Sequence, residues 1–418
     1  MRERDALVGK TAEAVARSSY GKLIAFLAAR SRDVAGAEDA LSEAFASALA
    51  RWPKDGIPDN PEAWLLAAAR RKSIDAHRRR KRSEGASDHL KIMADELATA
   101  NDNTVPDKRL LLMFACAHPA VDEAIRAPLI LQTVLGFDAA TIASAFLIAP
   151  ASMGQRLVRA KAKIRGAAIP FRLPEPDELR ERLDAVLDAI YAAYTEGWSD
   201  PAATDMHRRE LAGEAIWLGR LVCASLPGEP EALGLLALML HCEARHDARR
   251  DRDGEFVPLA EQNNDLWNSA MIDEAEMHLR RAAEMRAIGR FQLEAAVQSA
   301  HAVRRTSGRA DWRAILTLYD ALWDLTRSPV VAINRAVAIA EIEGAQEGLA
   351  VLEAQARDKR LLQYQPYWAA RAELLSRIGR IAEATEAYVQ AIGLETDPAV
   401  RRFLQRKRAA LGSDRGVC

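Results

Sequence analysis

The sequence predicts an all-α protein, built from two small helical domains joined by a linker and followed by an α-superhelical region. Three observations predict it. Ala and Leu dominate, and apolar residues recur with a helical period nearly throughout. No segment shows the alternating, β-branched pattern of a convincing strand. Two breaks in composition divide the chain. Residues 83–107, "SEGASDHLKIMADELATANDNTVPD", hold six acids and one Lys and read as a linker; 169–179, "IPFRLPEPDEL", hold three prolines and a change of charge. The expected divisions are 8–82, the acidic linker 83–107, 108–168, and 180–412.

The whole-chain numbers bound the rest. At 418 residues, two or three domains are expected, and 49% hydrophobic residues can bury sizeable cores. The formal net charge is −1, so any basic patch is local. Cys116, Cys223, Cys242 and Cys418 show no paired spacing, which suits a reducing compartment. No signal-peptide core and no apolar run of about 18 residues is found, so a soluble, cytoplasmic protein with no membrane partner is expected.

In 8–82, "GAEDALSEAFASALARW" places Leu41, Phe45, Leu49 and Trp52 on one helical face. Asp39 and Glu43 lie four residues apart on another, where like charges mildly destabilise an isolated helix. That suits a solvated face or a cationic partner. The helix stops at "WPKDGIPDNP", where Asn60 is a good N-cap and Pro61 suits the first helical position. The next helix ends in a cluster: Arg70, Arg71, Lys72, Arg78, Arg79, Arg80, Lys81 and Arg82 are answered only by Asp75. Such a cluster repels itself, so a solvated surface or a polyanion is its natural complement.

In 108–168, "DAATIASAFLIAPASMGQRLVRAKAKIR" reads as two helices joined by a tight turn. Asp138 caps the first, with Ile142, Phe146 and Leu147 inward. Pro150 opens the second, with Met153, Leu157, Ala160 and Ile164 as its buried stripe. Gln155, Val158, Arg159 and Arg165 lie opposite, Arg156, Lys161 and Lys163 lie at the flanks, and no acid occurs from 151 to 165. This matches a helix-turn-helix whose second helix enters the major groove. Gln reads adenine, Arg reads guanine, Val touches a thymine methyl, and the flanking cations hold phosphates. A helical hairpin with a basic outer face is the alternative.

Together "AEDALSEAFASALARW", "NPEAWLLAAARRKSIDAHRRRKR" and "DAATIASAFLIAPASMGQRLVRAKAKI" resemble the polymerase-binding helix, the −10 helix and the −35 helix-turn-helix of the extracytoplasmic-function sigma factors of bacterial RNA polymerase. The resemblance implies a dissociable initiation factor that binds core polymerase, recognises −35 and −10 elements and promotes DNA opening, with no catalysis and no cofactor of its own. It implies that Asp39 and Glu43 dock on the clamp helices of the largest polymerase subunit, and that 108–168 meets the flap of the second-largest. Asp59 and Asn60 fall in the loop that captures a flipped-out base. Arg70, Arg71, Arg78, Arg79 and Arg80 would contact −10 phosphates; Gln155, Arg156, Val158, Arg159, Lys161 and Lys163 would serve the −35 element. Gly154 departs from the pattern, standing where many relatives carry a polar or basic residue.

From 180 the chain continues as helical hairpins with one polar loop at about 247–264. "PYWAARAELLSRIGRIAEATEAYVQAIGLETDP" fits the 34-residue tetratricopeptide template, with Trp368, Ala372, Gly379, Ala384, Tyr388 and Ala391 in register. Gly344 precedes Gly379 by 35 residues, marking a degenerate preceding repeat. Stacked repeats present a concave face, where a peptide, protein or small-molecule ligand is the expected partner. The upstream "RLDAVLDAIYAAYTEGWSD" and "EPEALGLLALMLHCEARHDARRDRDGEF" resemble a subgroup of these sigma factors with such an extension, implying that it regulates sigma activity. The alternative is a tetratricopeptide regulator that binds operator DNA without acting as a sigma factor.

Three metal-like patterns are discounted. Cys116 and His118 read as a helix end with a buried thiol. His241, Cys242 and His246 do not share the face that paired helical ligands need. "DRDGEF" has Arg249 and Ala260 at the first and last calcium-ligand positions.

Overall fold

The structure is a computed structural model and describes residues 2–84, 107–146, 148–198, 206–356 and 358–413. Most of the expected acidic linker, Leu147 and Cys418 lie outside the described residues. The described elements are helices, with one isolated antiparallel bridge between Arg250 and Phe256. None of those helices is long and apolar enough to cross a membrane. The chain divides into two compact units, 1–197 with 210–218, and 198–209 with 219–418.

The first unit opens with α1 (Arg2–Ser31), which ends where Arg32 turns left-handed at φ 52°. Asp33 then caps α2 (Val34–Asp55), its carboxylate accepting the Gly36 amide at 3.0 Å. The buried stripe of α2 is Ala37, Leu41, Ala44, Ala48 and Trp52. Leu49, expected inside, is 51% exposed. Steps of four residues drift about 40° each around a helix, so a stripe of Leu41, Phe45 and Leu49 walks off the core. The alanines keep the true 3.6-residue period. Gly56, at φ 91°, ends α2. Asn60 caps α3 (Pro61–Glu84) by accepting the Ala63 amide at 3.0 Å. Trp52 and Trp64 meet edge-to-face at 5.5 Å and tie the two ends of the intervening loop together.

Four helices follow: α4 (Arg109–Cys116), α5 (Glu123–Leu135), α6 (Ala139–Ala145) and α7 (Pro150–Gly166). Asp138 opens α6 as expected, accepting the Ala140 and Thr141 amides at 2.8 and 2.9 Å; those bonds hold its carboxyl below the usual range. Three of these pack directly on the first two helices: α1 lies against α4 and α5, and α2 against α7. Gly21 makes this possible. A Cβ there would sit 1.8 Å from the Val134 carbonyl oxygen, so α1 and α5 touch backbone to backbone.

The next helix, α8 (Pro176–Trp198), buries Leu183, Leu187, Ile190 and Tyr194 and belongs to this first unit. So do residues 210–218 of α9 (Met206–Ser225). The division therefore falls at 197, not in the Pro-rich stretch at 169–179. Two buried arginines explain it. Arg126 on α5 pairs with Glu181 of α8 at 3.2 Å. Arg109 pairs with Asp107 and Glu214, its guanidinium stacked 4.1 Å from the Trp217 ring. Both guanidiniums need carboxylates that lie beyond the prolines.

The second unit stacks helix pairs: α10 (Pro230–Glu243) with α11 (Ser269–Glu284), α12 (Arg290–Ala302) with α13 (Trp312–Thr326), α14 (Pro329–Ile342) with α15 (Ala345–Ala354), and α16 (Gln365–Arg377) with α17 (Ile381–Leu394), then α18 (Pro398–Ser413). Gly344 and Gly379 take φ 119° and 78° at the equivalent turns within successive pairs. Ala372, Ala384, Tyr388 and Ala391 are all buried. Gly234 lets α10 meet α12, since a Cβ would lie 2.6 Å from the Gln292 nitrogen. There Glu231 accepts the Phe291 and Gln292 amides at 2.9 and 3.1 Å, capping α12 from another helix.

The polar loop is ordered by "DRDGEF". Asp251 accepts the Asp253 and Glu255 amides at 2.9 Å, and Gly254 turns the chain at φ 77°. This turn reaches α18. Glu255 binds Arg402 and Arg406 at 2.6 Å each, Arg250 pairs with Asp397, and Phe256 meets Phe403 at 5.4 Å. The loop of the first pair is thereby fastened to the last helix of the stack.

Candidate nucleic-acid interface

Helix α7 separates its two chemistries. Met153, Leu157, Ala160 and Ile164 are buried, the stripe that the sequence predicts. Gln155, Arg156, Val158, Arg159 and Lys163 are exposed, with Val158 at 67%. Val158 thus stands exposed among cations and a carboxamide. The Arg159 Nε donates to the Gln155 carbonyl at 3.3 Å, which lays its side chain along the helix. Pro150 opens α7, and Ile142 anchors α6 at 1% exposure.

Lys161 is a correction. Expected on an exposed flank, it is 9% exposed and turned inward, its Nζ 2.6 and 2.8 Å from the Glu38 carboxylate on α2. The residue lies on the α2 side of α7, where packing removes it from solvent. Burial pushes the Glu38 carboxyl up and Lys161 pulls it partly back. Arg165 reaches Asp33 at 3.6 Å on the same side.

The α3 cluster divides in the same way. Arg71 is exposed, its Nε donating to the Ala67 carbonyl at 3.3 Å. Arg70 is half-buried, its guanidinium 4.7 Å from the Phe26 ring centroid, and its Nε is buried without a hydrogen bond. Burial and Arg30 hold that guanidinium below its ordinary value. Arg70 is thus built into the packing, which makes it a poor phosphate ligand. The α3 backbone runs on through Arg78, Arg79 and Arg80, but their side chains lie outside the described residues. Asp59 is exposed in the loop before α3, and the Asn60 side chain is engaged as the cap.

On α2, Asp39 and Glu43 are both exposed. Lys72 of α3 reaches Glu43 at 3.2 Å, an exposed pair of small energetic weight. Leu49 borders the same face, so an acidic strip with an apolar edge faces outward.

Residues 15–83, which span most of α1 and all of α2 but the last residue of α3, match the family model of Sigma-70 region 2. That match supports a sigma-70 family member. Its region 2 thus holds the acidic strip, the capped loop and the basic helix. An uncharacterised protein of Rhizobium meliloti (strain 1021) is 37% identical over 385 residues, covering 90% of this chain and 90% of that one. Residues 182–283, from α8 through α11, match a family of unknown function (DUF6596). No solved structure matches the chain.

Sequence reasoning missed Glu38, Gly21, Arg109 and Glu231. Only Gly21 carried a signal, as a lone glycine inside the strongly helical "SSYGKLIAFLAARS".

Proposed function

We propose that the chain is a transcription-initiation factor of the extracytoplasmic-function type, which binds core RNA polymerase through α2, opens −10 DNA along α3 and reads −35 DNA with α7. One observation carries the reading. On a chain that contains sigma-70 region 2, a separate helix after a tight turn exposes Gln155, Arg156, Val158 and Arg159 together over a buried apolar stripe. That set is a donor-rich, partly apolar face of the width that a major groove accepts. Arg156 and Lys163 serve phosphates. The exposed strip of Asp39, Glu43 and Leu49 meets the clamp helices of the largest polymerase subunit, and the flap of the second-largest receives the α7 domain. Arg71 and Asp59 meet −10 DNA. The stacked pairs of the second unit tune this activity and offer a concave face to a peptide, protein or small molecule.

Binding to matched core polymerase tests the α2 assignment. Asp39→Lys with Glu43→Lys reverses two charges on the strip and should abolish the complex without lowering thermal stability. Unchanged affinity would remove α2 from the interface. For α7, Arg159→Ala should relax −35 base preference at one position by about 1–3 kcal/mol; unaltered preference would refute the reading role.

A further inference from the structure

We infer that the second unit holds a binding site for a carboxylate, formed where Arg245, just past the end of α10, meets Gln298 and His301 of α12 and Tyr319 of α13. The inference deepens the reading above that the stacked pairs receive a ligand, rests on that reading for its place in the molecule, and is independent of the sigma role.

Helical period builds the site. Arg290, Glu294, Gln298 and His301 fall within about 80° of one another around α12, a polar stripe on a helix that buries Phe291, Leu293, Ala295 and Val297. Trp312 and Tyr319 share one face of α13 by the same period. The two helices turn back on each other. The His301 ring thus meets Trp312 edge-to-face at 5.7 Å, and Tyr319 comes close enough to Glu294 to feel its charge. Arg245 enters from the end of α10. Its Nη2 donates to the Gln298 Oε1 at 2.6 Å and its Nε to the His241 carbonyl at 3.3 Å, and its guanidinium stands 5.9 Å from the Trp267 ring.

This arrangement leaves one cation without a counter-charge. Arg245 is half-buried, and among the described residues no carboxylate lies within ion-pairing distance of it. Glu294, the acid of the stripe, is engaged by Arg290, whose Nε lies 2.8 Å from it. A partly desolvated charge gains most from a partner of opposite sign. The Arg245 Nη1, the Tyr319 hydroxyl and the His301 ring make no hydrogen bond among the described residues, so each is open to one. Charge then selects the ligand. Burial, with Arg245 and Arg304 adding to it, holds His301 down to about 4, so its ring is neutral near pH 7. Burial pushes Tyr319 up to about 12, so its hydroxyl keeps its proton. One guanidinium between two neutral rings matches a monoanion. A carboxylate can take the Arg245 Nη1 on one oxygen and the Tyr319 hydroxyl on the other, whereas a phosphate dianion would stay half-neutralised. The Trp312 ring beside His301 gives the body of the ligand an apolar wall.

The test is ligand-observed NMR and equilibrium titration of the full chain with two matched pairs of probes: benzoate against benzamide, and the peptide acetyl-Ala-Ala-Phe with a free against an amidated C-terminus. The free acids should bind and the amides should not. Arg245→Gln and Tyr319→Phe should each weaken the acids by about tenfold or more. Arg313→Gln, which removes an exposed cation elsewhere on α13, should change nothing. Tyr319→Phe deletes a single hydroxyl, so it decides the matter if the Arg245 variant fails to fold. Tighter binding of the peptide acid would identify the ligand as a chain terminus, and tighter binding of benzoate would identify a free organic acid. Acid binding that either folded variant leaves unchanged overturns the inference. Equal binding of acid and amide overturns the carboxylate while keeping the stack as a ligand site; no binding by any of the four probes overturns both. A chain that binds the acids yet directs no specific transcription starts loses the sigma reading and keeps the site.

Discussion

Arg70 and Arg71 are neighbours in one basic cluster, yet the structure gives them opposite work. Arg70 of α3 is half-buried and lies on Phe26 of α1, which is 3% exposed. A partly desolvated cation–π contact is worth about 1–2 kcal/mol, and the half-buried side chain adds to it. The buried Nε without a partner offsets part of that gain. Arg70→Ala should therefore cost a net of about 1–2 kcal/mol, a fall in Tm of roughly 2–8 °C for a unit of this size. Arg71→Ala removes an exposed side chain and should stay within about 0.5 kcal/mol. The order reverses on DNA. Removing one phosphate-binding cation reduces the salt slope of log affinity by about 0.7–0.9, so Arg71→Ala should flatten the slope and Arg70→Ala should leave it nearly unchanged. Thermal unfolding of the full chain and promoter binding of the holoenzyme across a salt series measure the two effects. Equal falls in Tm, or a slope change confined to Arg70→Ala, would refute the division of roles.

Three further outcomes follow from the packing. Gly234→Ala should destabilise the second unit by about 1–3 kcal/mol, because its Cβ collides with the Gln292 backbone. The same change at Gly213, with nothing within 4 Å, should stabilise by up to about 1 kcal/mol; calorimetry on both gives the sign. His241 and His301 are each held down to about 4, chiefly by burial with Arg245 adding to it, although Glu276 lies 3.4 Å from the His241 Nε2. Unfolding frees each ring to its ordinary value of about 6.5, so the unfolded chain binds more protons between pH 6.5 and 4. Stability is complete above 6.5 and should fall by up to on the order of 3 kcal/mol per ring as pH drops to 4; denaturant titrations with His301→Phe should show a shallower fall. A chain ending at 170 strips Glu181 and Glu214 from the buried Arg126 and Arg109, so it should unfold or aggregate, whereas one ending near 226 should melt cooperatively.

The local punctuation of the fold was legible in sequence, because caps and turns depend on one or two residues. Asn60 and Asp138 cap the helices they were expected to cap, and Gly344 and Gly379 turn the chain 35 residues apart. The apolar stripe of α7 was legible for the same reason: period and side-chain type fix it. What escaped were partnerships distant in sequence. Nothing in "AEDA" says that Glu38 meets Lys161, 123 residues later, so Lys161 read as one more free cation. Arg109 and Arg126 lie among apolar residues that gave no hint of their carboxylate partners, and the Pro-rich break therefore passed for a boundary. Arg70 was indistinguishable from Arg71 in a run of cations, because only the fold brings Phe26 beneath one of them. In "DRDGEF", Asp251 caps a turn from which Glu255 fastens α18.

The central claim is best tested by transcription in vitro, with the full chain, matched core polymerase and pooled genomic DNA, mapping the 5′ ends of the RNA made. The account predicts a limited set of starts that share one −35 and −10 pair, lost together when Asp39 and Glu43 are reversed to lysine. Tight binding to duplex DNA without polymerase, with no specific starts in its presence, would contradict it and mark the chain as an operator-binding regulator.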